Sequence, residues 1–434
     1  MLNLIGVVIA FILIVLLIRK KFNFQFLENY KFGLSLILGS LIVGIFSLQT
    51  INLIDIRNAF IEATIYSFDK NEIYTETIEL ATLMTLIYIL AKCMQETGAI
   101  KKLIDSLRTI FTKGGTIGVI PAIYGLMPVP GGALFSAPTI DEEGDKYNLD
   151  KNQKNFLNIW FRHIWFPIYP ISSAMIVITS EKFSNIGIYT LILADIPAFI
   201  AVILIGFLIL NRLTKNVPVK KREVKKDYSG LIYLIPPLLP VILYIVLQFF
   251  EISQIRIFII GVVLSIILVF YLTDNTKEEY LVILKKSLTL KLALAIIGIM
   301  IFREMFEVSK ANIVLNNMIG GSLTPAIAMV IIIPLVLGVL TGYNLGAVAL
   351  SYPILMPFFP ADLNFVTLVG LTSLIFMSSL IGYIISPIHL CNVLSSDYLK
   401  TDTTRMYKML IPAAISVLAI QIIVIEVVTY VLTL

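Results

Sequence analysis

The chain contains Gly131-Gly132-Ala133-Leu134-Phe135-Ser136-Ala137-Pro138 and, in its second half, Gly346-Ala347-Val348-Ala349-Leu350-Ser351-Tyr352-Pro353. Both stretches have the pattern Gly-x-x-x-x-Ser-x-Pro and lie in apolar surroundings. Glycine and proline interrupt a helix, and interrupted backbone is tolerated inside a membrane only where it is buried in protein or lines a cavity. A duplicated interruption of this kind is typical of the binding site of a secondary transporter.

The composition is that of an integral membrane protein. Of the 434 residues, 58% are hydrophobic and 14% are charged, which is more apolar surface than a soluble domain of this size can bury. Apolar windows of the roughly 20 residues that a spanning helix needs recur along the whole chain. We therefore predict an all-α integral membrane protein with about ten transmembrane helices plus two re-entrant hairpins. The net charge of +5 is modest and does not indicate a nucleic-acid partner.

The same order of segments occurs twice along the chain. In the first half we predict spans at 2–18, 33–48 and 77–97, an amphipathic arm at 98–111, a hairpin at 116–140, a proline-broken span at 156–179 and a closing span at 186–210. The corresponding segments of the second half are 231–249, 255–272, 288–307, 308–319, 323–359, 365–399 and 409–432. The predicted domains are a first repeat at 1–215, a basic cytoplasmic linker at 216–228 and a second repeat at 229–434.

The distribution of Lys and Arg predicts how the two repeats are oriented. If each hairpin enters and leaves on one side, each half crosses the bilayer an odd number of times and the second copy is inverted. The loops that this topology assigns to the cytoplasm hold most of the basic residues, and the loop at 211–228 is the most basic. The positive-inside rule then predicts a multi-pass protein of the cell membrane with both termini outside, the first hairpin entering from the cytoplasm and the second from outside.

Two further stretches carry a resemblance to a known group of proteins. Met127-Pro128-Val129-Pro130-Gly131-Gly132-Ala133 and Ser386-Pro387-Ile388-His389-Leu390-Cys391 resemble an uncharacterised prokaryotic multi-pass branch near the ion transporter superfamily. That superfamily groups divalent-anion/sodium symporters, citrate carriers, arsenite-permease-like proteins and gluconate or C4-dicarboxylate carriers. The resemblance covers nearly the whole chain and implies inverted repeats, a homodimer and an elevator motion. The Ser-Asn-Thr triplet that divalent-anion symporters carry at each hairpin tip does not occur here.

The tip of the first hairpin is a candidate substrate site. Pro130, Gly131 and Gly132 bring the ends of two short helices together, and Ser136 adds a hydroxyl. A helix N-terminus carries a partial positive charge that suits an anion, and glycine lets a ligand approach the backbone. The alternative is a proline kink whose glycines serve helix packing.

The tip of the second hairpin is richer in side-chain oxygens. We assign Thr341 and Asn344 to cation coupling, because a hard cation such as sodium binds several oxygens. Gly346 and Ser351 repeat the glycine and serine of the first hairpin and are assigned to substrate binding. The alternative is an Asn/Gly turn that faces water.

The broken spans are predicted to face the hairpin tips, because proline frees a carbonyl inside a helix. The candidate substrate ligands in these spans are Tyr169, Ser172, Ser173, His389 and Asn392, and Ser386 is a candidate for cation coupling. His389 is also a candidate proton carrier, since histidine titrates near physiological pH; the alternative is a histidine that only packs between helices. For His163 we predict an anchor role near the cytoplasmic surface.

Several ionisable side chains lie inside apolar windows, where they are functional candidates. Asp195 is assigned to cation coupling, and the alternative is an ion pair with a neighbour such as Arg162. Lys92 and Arg303 each lie four residues before a glutamate, which predicts a local ion pair on a helix.

The cysteines predict no redox or metal chemistry. Cys93 and Cys391 lie in apolar windows, and neither has the spacing of a zinc site or of a disulfide framework. Two free, buried thiols and no metal site are therefore expected.

These features favour an elevator-type secondary active transporter that moves a small anionic organic or inorganic substrate, coupled to a sodium or proton gradient. We expect an anion because the hairpin tips offer helix dipoles and hydroxyls, although no fixed cationic side chain is predicted there. The alternatives are an ion channel and an intramembrane hydrolase, but the motifs of intramembrane hydrolysis are missing from the sequence, and no enzyme activity is predicted. The expected partners are the lipid bilayer, the substrate and a second copy of the chain, with no cofactor other than a coupling sodium ion or proton.

Overall fold

The chain folds almost entirely into helices. The computed structural model describes residues 1–68, 71–111, 114–126, 132–215, 217, 225–250, 252–311, 313–314, 323–359 and 363–433. Within these ranges the strands are limited to one short antiparallel hairpin, β1 (Tyr66–Ser67) and β2 (Glu72–Ile73). Eight of the described helices are long and apolar enough to cross a membrane. The predicted class, an all-α multi-pass membrane protein, is confirmed.

The first half of the chain contains ten described helices. They are α1 (Leu2–Arg19), α2 (Gln25–Phe46), α3 (Leu53–Glu62), α4 (Glu76–Glu96), α5 (Ala99–Ile110), α6 (Gly115–Gly125), α7 (Ala133–Asp145), α8 (Lys151–Arg162), α9 (Ser173–Ile178) and α10 (Ile188–Thr214).

The second half begins with a 3₁₀ turn, Ser229–Leu234, that leads directly into a helix. The described helices of this half are α11 (Ile235–Leu247), α12 (Gln254–Leu272), α13 (Lys277–Ser287), α14 (Lys291–Val308), α15 (Leu323–Thr341), α16 (Asn344–Leu355), α17 (Phe365–Ile384), α18 (Leu390–Leu399) and α19 (Thr403–Thr433). The proline breaks predicted in both interrupted spans are present, because helices end on either side of Pro167 and Pro170 and on either side of Pro387. The helices of both hairpins also end at the predicted tips. The prolines of the repeated phrase, Pro138 and Pro353, lie inside α7 and α16, so the prediction that they interrupt a helix is wrong.

Two short helices of the structure were not predicted from the sequence. α3 and α13 each precede the last long helix before a hairpin, and both begin with a capping box, formed by Asn52 with Asp55 and by Thr276 with Glu279. In a capping box the side chains satisfy the first backbone N–H groups of the helix, so such a helix can start in a polar segment. The absence of a long apolar run explains why these helices were not predicted.

The outer surfaces of the long helices are apolar. On α10, Leu193, Leu204 and Phe207 are exposed, whereas Asp195 and Ala198 on the opposite side are buried. A helix that is apolar on its exposed side and holds its one carboxylate inside is expected when the surroundings are lipid.

One group of helices packs through close backbone contacts. α2 lies against α14, and α12 lies against α4; α1 packs on α2, and α11 packs on α12. A Cβ added at Gly33 would lie 2.5 Å from the carbonyl oxygen of Leu294, and one at Gly261 would lie 2.6 Å from the Cα of Pro240. Glycine is needed at both positions because membrane helices approach most closely where side chains are small.

A second group of helices contains the hairpins and the broken spans. The first hairpin, α6 with α7, packs on α8, and the second hairpin, α15 with α16, packs on α17. Each hairpin also contacts the short helix of the other half, since α7 packs on α18 and α16 packs on α9. The hairpins and breaks of both halves therefore form one interior region.

The amphipathic arm predicted at 98–111 is confirmed as helix α5. It buries Leu103 and Leu107 and exposes Lys102, whose ammonium lies 2.7 Å from the carboxylate of Asp274. This hydrogen bond raises the pKa of Lys102. A hydrogen bond connects the arm to the first hairpin, since Arg108 of α5 donates to the hydroxyl of Thr139 in α7 at 2.6 Å. Half of the corresponding arm of the second half, predicted at 308–319, lies outside the described residues.

Candidate functional site

The candidate site is built around the tips of the two hairpins. In the first hairpin, α6 ends at Gly125 and α7 begins at Ala133, next to Gly132. Two of the predicted substrate residues, Pro130 and Gly131, lie between them and outside the described residues. In the second hairpin, the turn between α15 and α16 consists of Gly342, with a positive φ of 60°, and Tyr343.

A buried cation lies at the first tip. Arg162, the last residue of α8, is 2% exposed, and its guanidinium donates to the carbonyl of Tyr124 at 2.5 Å. A Cβ added at Gly132 would overlap this guanidinium, and one added at Gly125 would overlap the Arg162 carbonyl. The two glycines thus allow the hairpin to close over Arg162. The expectation that no fixed cationic side chain lies at the tips is wrong.

Ser136 lies one turn inside α7 and joins a buried chain of polar groups. Its hydroxyl donates to the amide oxygen of Asn158 at 2.5 Å, and the Asn158 amide nitrogen donates to the carbonyl of Ala133 and to the hydroxyl of Ser395. Ser395 in turn donates to the amide oxygen of Asn155 at 2.6 Å. This chain runs from the first hairpin through α8 to α18 of the second half.

Ser351, the serine of the second repeated phrase, lies inside α16 and is fully buried. Its hydroxyl donates to the carbonyl of Val348 at 3.3 Å. Gly346 also lies within α16, where an added Cβ would be 2.9 Å from the ring of Phe32 in α2. Both residues are therefore packed inside the helix that follows the turn, and their assignment to substrate binding stays a prediction.

The second tip rests on the break between α17 and α18. A Cβ added at Gly342 would lie 2.8 Å from the side chain of Ile388 and 3.1 Å from the backbone nitrogen of His389. Ser386, at the same break, donates to the carbonyl of Val339 at 2.7 Å. The first hairpin has a similar link to its own break, since the hydroxyl of Tyr169 donates to the carbonyl of Leu126 at 2.8 Å.

The proposed cation ligands are partly engaged in local hydrogen bonds. Thr341 donates to the carbonyl of Leu337 at 2.7 Å, whereas the amide oxygen of Asn344 is buried and lacks a hydrogen-bond partner in the described part of the chain. Because Asn344 is the first residue of α16, this oxygen lies beside the second tip. The cation-coupling role of both residues remains a prediction.

The remaining predicted ligands lie at the breaks. Ser172 caps α9 by accepting from the backbone nitrogen of Met175 at 3.4 Å, and Ser173 begins that helix; both serines are half-buried. Asn392, in α18, donates to the hydroxyl of Tyr407 at 2.6 Å, and its amide oxygen is buried with no partner among the residues described.

His163 does not lie at the membrane surface, so its predicted anchor role is wrong. It is 2% exposed and its ring contacts that of His389, with 4.8 Å between the ring centroids. Tyr383 packs against both histidines, 4.0 Å from the His389 ring centroid and 5.6 Å from that of His163. The two histidines of the chain therefore meet in the interior, although one belongs to each half.

Asp195 is fully buried and is not paired with Arg162. One of its carboxylate oxygens accepts from the hydroxyl of Ser373 at 2.6 Å and from the amide of Gln421 at 3.3 Å. The other oxygen is buried without a hydrogen-bond partner within the described ranges. Its neighbours belong to α17 and α19, so it lies between helices of both halves, and its coupling role stays a prediction.

The local ion pairs and the state of the cysteines are confirmed. Lys92 lies 4.0 Å from Glu96, and Arg303 lies 3.2 Å from Glu307. Cys93 and Cys391 are both free and buried.

Two sets of candidate functional residues were not predicted from the sequence. Arg162 was considered only as a possible ion-pair partner of Asp195, and the amides of Asn155 and Asn158 were not considered. A signal for the amides was present, because they are three residues apart in α8 and therefore share a helix face. No such local signal indicated that His163 would meet His389.

The arrangement suits the binding of a small anion. The N-terminus of α7, with its partial positive charge, begins one residue after Gly132, which touches the Arg162 guanidinium. A guanidinium presents several N–H donors in a planar fork that matches carboxylates and oxyanions.

Comparison with known proteins gives a family but no activity. No curated protein matches the chain. A family model described as "Protein of unknown function (DUF401)" matches residues 6–428. Because this match covers nearly the whole length, the chain belongs to the DUF401 family.

Proposed function

We propose that this protein is an elevator-type secondary active transporter of the cell membrane that moves a small anion, driven by a sodium or proton gradient, and that it acts as a homodimer. We relate it to the ion transporter superfamily on the basis of the sequence resemblance. The observation that carries the proposal is the buried guanidinium of Arg162, held against Gly132 at the start of α7. A buried cation inside a membrane is expensive, so it is expected where it serves a ligand.

The paired packing of the helices supports two inverted repeats. In the proposed alignment of the repeats, α1–α4 correspond to α11–α14, α5 to the second arm, and α6–α10 to α15–α19. The contact of α2 with α14 then has its counterpart in the contact of α12 with α4. The contact of α7 with α18 has its counterpart in that of α16 with α9. A pseudo-twofold axis would produce this reciprocal pattern.

The elevator motion is supported by the separation into two groups of helices. The hairpins and breaks are joined by side-chain hydrogen bonds, from Ser136 through Asn158 to Ser395, so they can move as one body. The helices α1, α2, α4, α11, α12 and α14 pack among themselves and would form the static scaffold. In this proposal, the hairpin tips carry the anion past that scaffold.

Labelling of introduced cysteines tests the inverted topology. We expect Lys226→Cys to be protected from membrane-impermeant thiol reagents in intact cells and Lys310→Cys to react, because the proposed topology has these exposed residues on opposite sides of the membrane. The native cysteines are buried, so the unmodified protein serves as the low-background control. Equal labelling of both variants in intact cells would contradict the inverted arrangement.

Flux into liposomes tests transport itself. Purified protein should accumulate at least one of a panel of radiolabelled carboxylates and inorganic oxyanions when a sodium or proton gradient is imposed. Uptake should saturate with substrate, remain below about 10³ per second, as is typical of turnover-limited proteins, and disappear when the gradient is collapsed. Flux that neither saturates nor depends on the gradient would favour a channel and refute the proposal. The absence of flux for every anion of the panel would also refute it.

A further inference from the structure

Three potential metal ligands converge in the interior of the protein. The ligand atoms of His163, His389 and Cys391 all lie within 4.8 Å of one another, and the three residues are at most 3% exposed. His163 directly follows α8, whereas His389 and Cys391 lie at the start of α18, so the cluster joins the two halves. From this geometry we propose that the three side chains bind a transition-metal ion of the Zn²⁺ type.

The hydrogen bonds of the two histidines favour a ligand. His163 Nδ1 lies 2.7 Å from the carbonyl oxygen of Ile159, and a carbonyl can only accept, so Nδ1 carries the proton. The lone pair is then on Nε2, the nitrogen near the hydroxyl of Tyr383 at 3.5 Å. A backbone carbonyl that fixes the tautomer in this way is a common outer-shell partner of metal-bound histidine. Both ring nitrogens of His389 are buried without a hydrogen-bond partner in the described residues.

The donor set determines the class of ion. Two imidazoles and one thiolate suit Zn²⁺ and similar borderline ions, whereas Mg²⁺ and Ca²⁺ bind oxygen ligands. At Zn–N and Zn–S distances of about 2.0 and 2.3 Å, tetrahedral ligand atoms are roughly 3.3 to 3.5 Å apart, so the longest of the present separations must shorten by about 1 Å. Binding converts the Cys391 thiol to a thiolate and releases its proton to solvent. The fourth coordination position is left open for water or an anion.

Cobalt(II) is the direct probe of this site, because it replaces Zn²⁺ and gives an absorption band when a thiolate binds it. Purified protein treated with a chelator and then titrated with Co²⁺ should show a thiolate-to-cobalt charge-transfer band at one ion per chain, and added Zn²⁺ should abolish it. Cys391→Ser should eliminate the band. His389→Gln should weaken Co²⁺ binding by more than about 100-fold, since losing only an outer-shell partner already costs 10- to 100-fold.

Cys93→Ser is the matched control, because Cys93 is the second buried cysteine and lies on α4, away from the cluster. This variant should keep the cobalt band. It also leaves Cys391 as the one thiol of the chain. This buried thiol should react slowly with a small membrane-permeant alkylating reagent in detergent, and Zn²⁺ should slow that reaction further, which gives a second measurement that does not require a stable Cys391 variant. The proposal is overturned if the wild-type protein shows no thiolate band with excess Co²⁺, if the band persists in Cys391→Ser, or if Zn²⁺ does not slow alkylation in Cys93→Ser. None of these results depends on transport.

Discussion

Replacing Arg162 with glutamine is expected to reduce anion uptake into liposomes by about 100-fold. A hydrogen bond from a charged group contributes about 1.5 to 3 kcal/mol, and losing two of them to a bound anion amounts to about 3 kcal/mol, or two orders of magnitude in affinity. The guanidinium is 2% exposed at the tip of the first hairpin, so water would not replace it fully. The measurement is the rate of uptake against substrate concentration, with the effect expected mainly in KM.

One further variant separates the role of charge from the role of shape, and a second serves as a control. Arg162→Lys keeps the positive charge but loses the planar fork, so uptake should be intermediate. Arg212→Gln removes an exposed arginine at the end of α10 and should leave uptake unchanged. Since Arg162 also donates to the carbonyl of Tyr124, thermal unfolding of each variant should be recorded. Wild-type uptake by a folded Arg162→Gln protein would contradict the proposed anion site.

Replacing Asn158 with alanine is expected to destabilise the protein by about 3 kcal/mol and to abolish transport. The fully buried amide bonds to Ser136, to the carbonyl of Ala133 and to Ser395, and each buried group left without a partner costs about 1 to 3 kcal/mol. The same change disconnects the first hairpin from α18, and the elevator motion requires these two elements to move together. The measurements are the unfolding temperature in detergent and uptake into liposomes.

Asn152→Ala is the control for this variant, because Asn152 lies in the same helix and its side-chain oxygen accepts no hydrogen bond from the residues described. It should leave stability and uptake close to wild type. Combining Asn158→Ala with Ser395→Ala should destabilise the protein by less than the sum of the two single changes, because both remove the same bond. Strict additivity of the two changes would show that the link between the halves is not energetically coupled.

The membrane class and the helix breaks could be predicted from the sequence because their causes are local. A run of apolar residues specifies a spanning helix wherever it occurs, and Pro387 interrupts a helix through its own ring and its missing N–H. The i, i+4 pair of Arg303 and Glu307 is predicted correctly for the same reason, since helix geometry alone brings them together. The duplicated Gly-x-x-x-x-Ser-x-Pro phrase indicated two hairpins, and the helices do end close to it at both tips. Its serine and proline, however, lie inside α7 and α16 and not at the interruptions.

The identity of the residues that meet at the site required the folded structure. Arg162 ends a helix of mixed polar and apolar residues, and nothing near it in sequence indicates that Gly125 and Gly132 would close over it. The partners of Asp195 are Ser373 and Gln421 of the second half, so a search among neighbouring residues suggested the wrong one, Arg162.

For this chain, hydropathy, proline and charge pattern were sufficient for the membrane class, the positions of the interruptions and the short-range ion pairs, since each depends on residues within a few helical turns. The contacts of His163 with His389 and of Asn158 with Ser395 join segments that are far apart in the chain. Such contacts depend on how whole helices of the two halves pack, and this packing is a collective property of many side chains that no local pattern records.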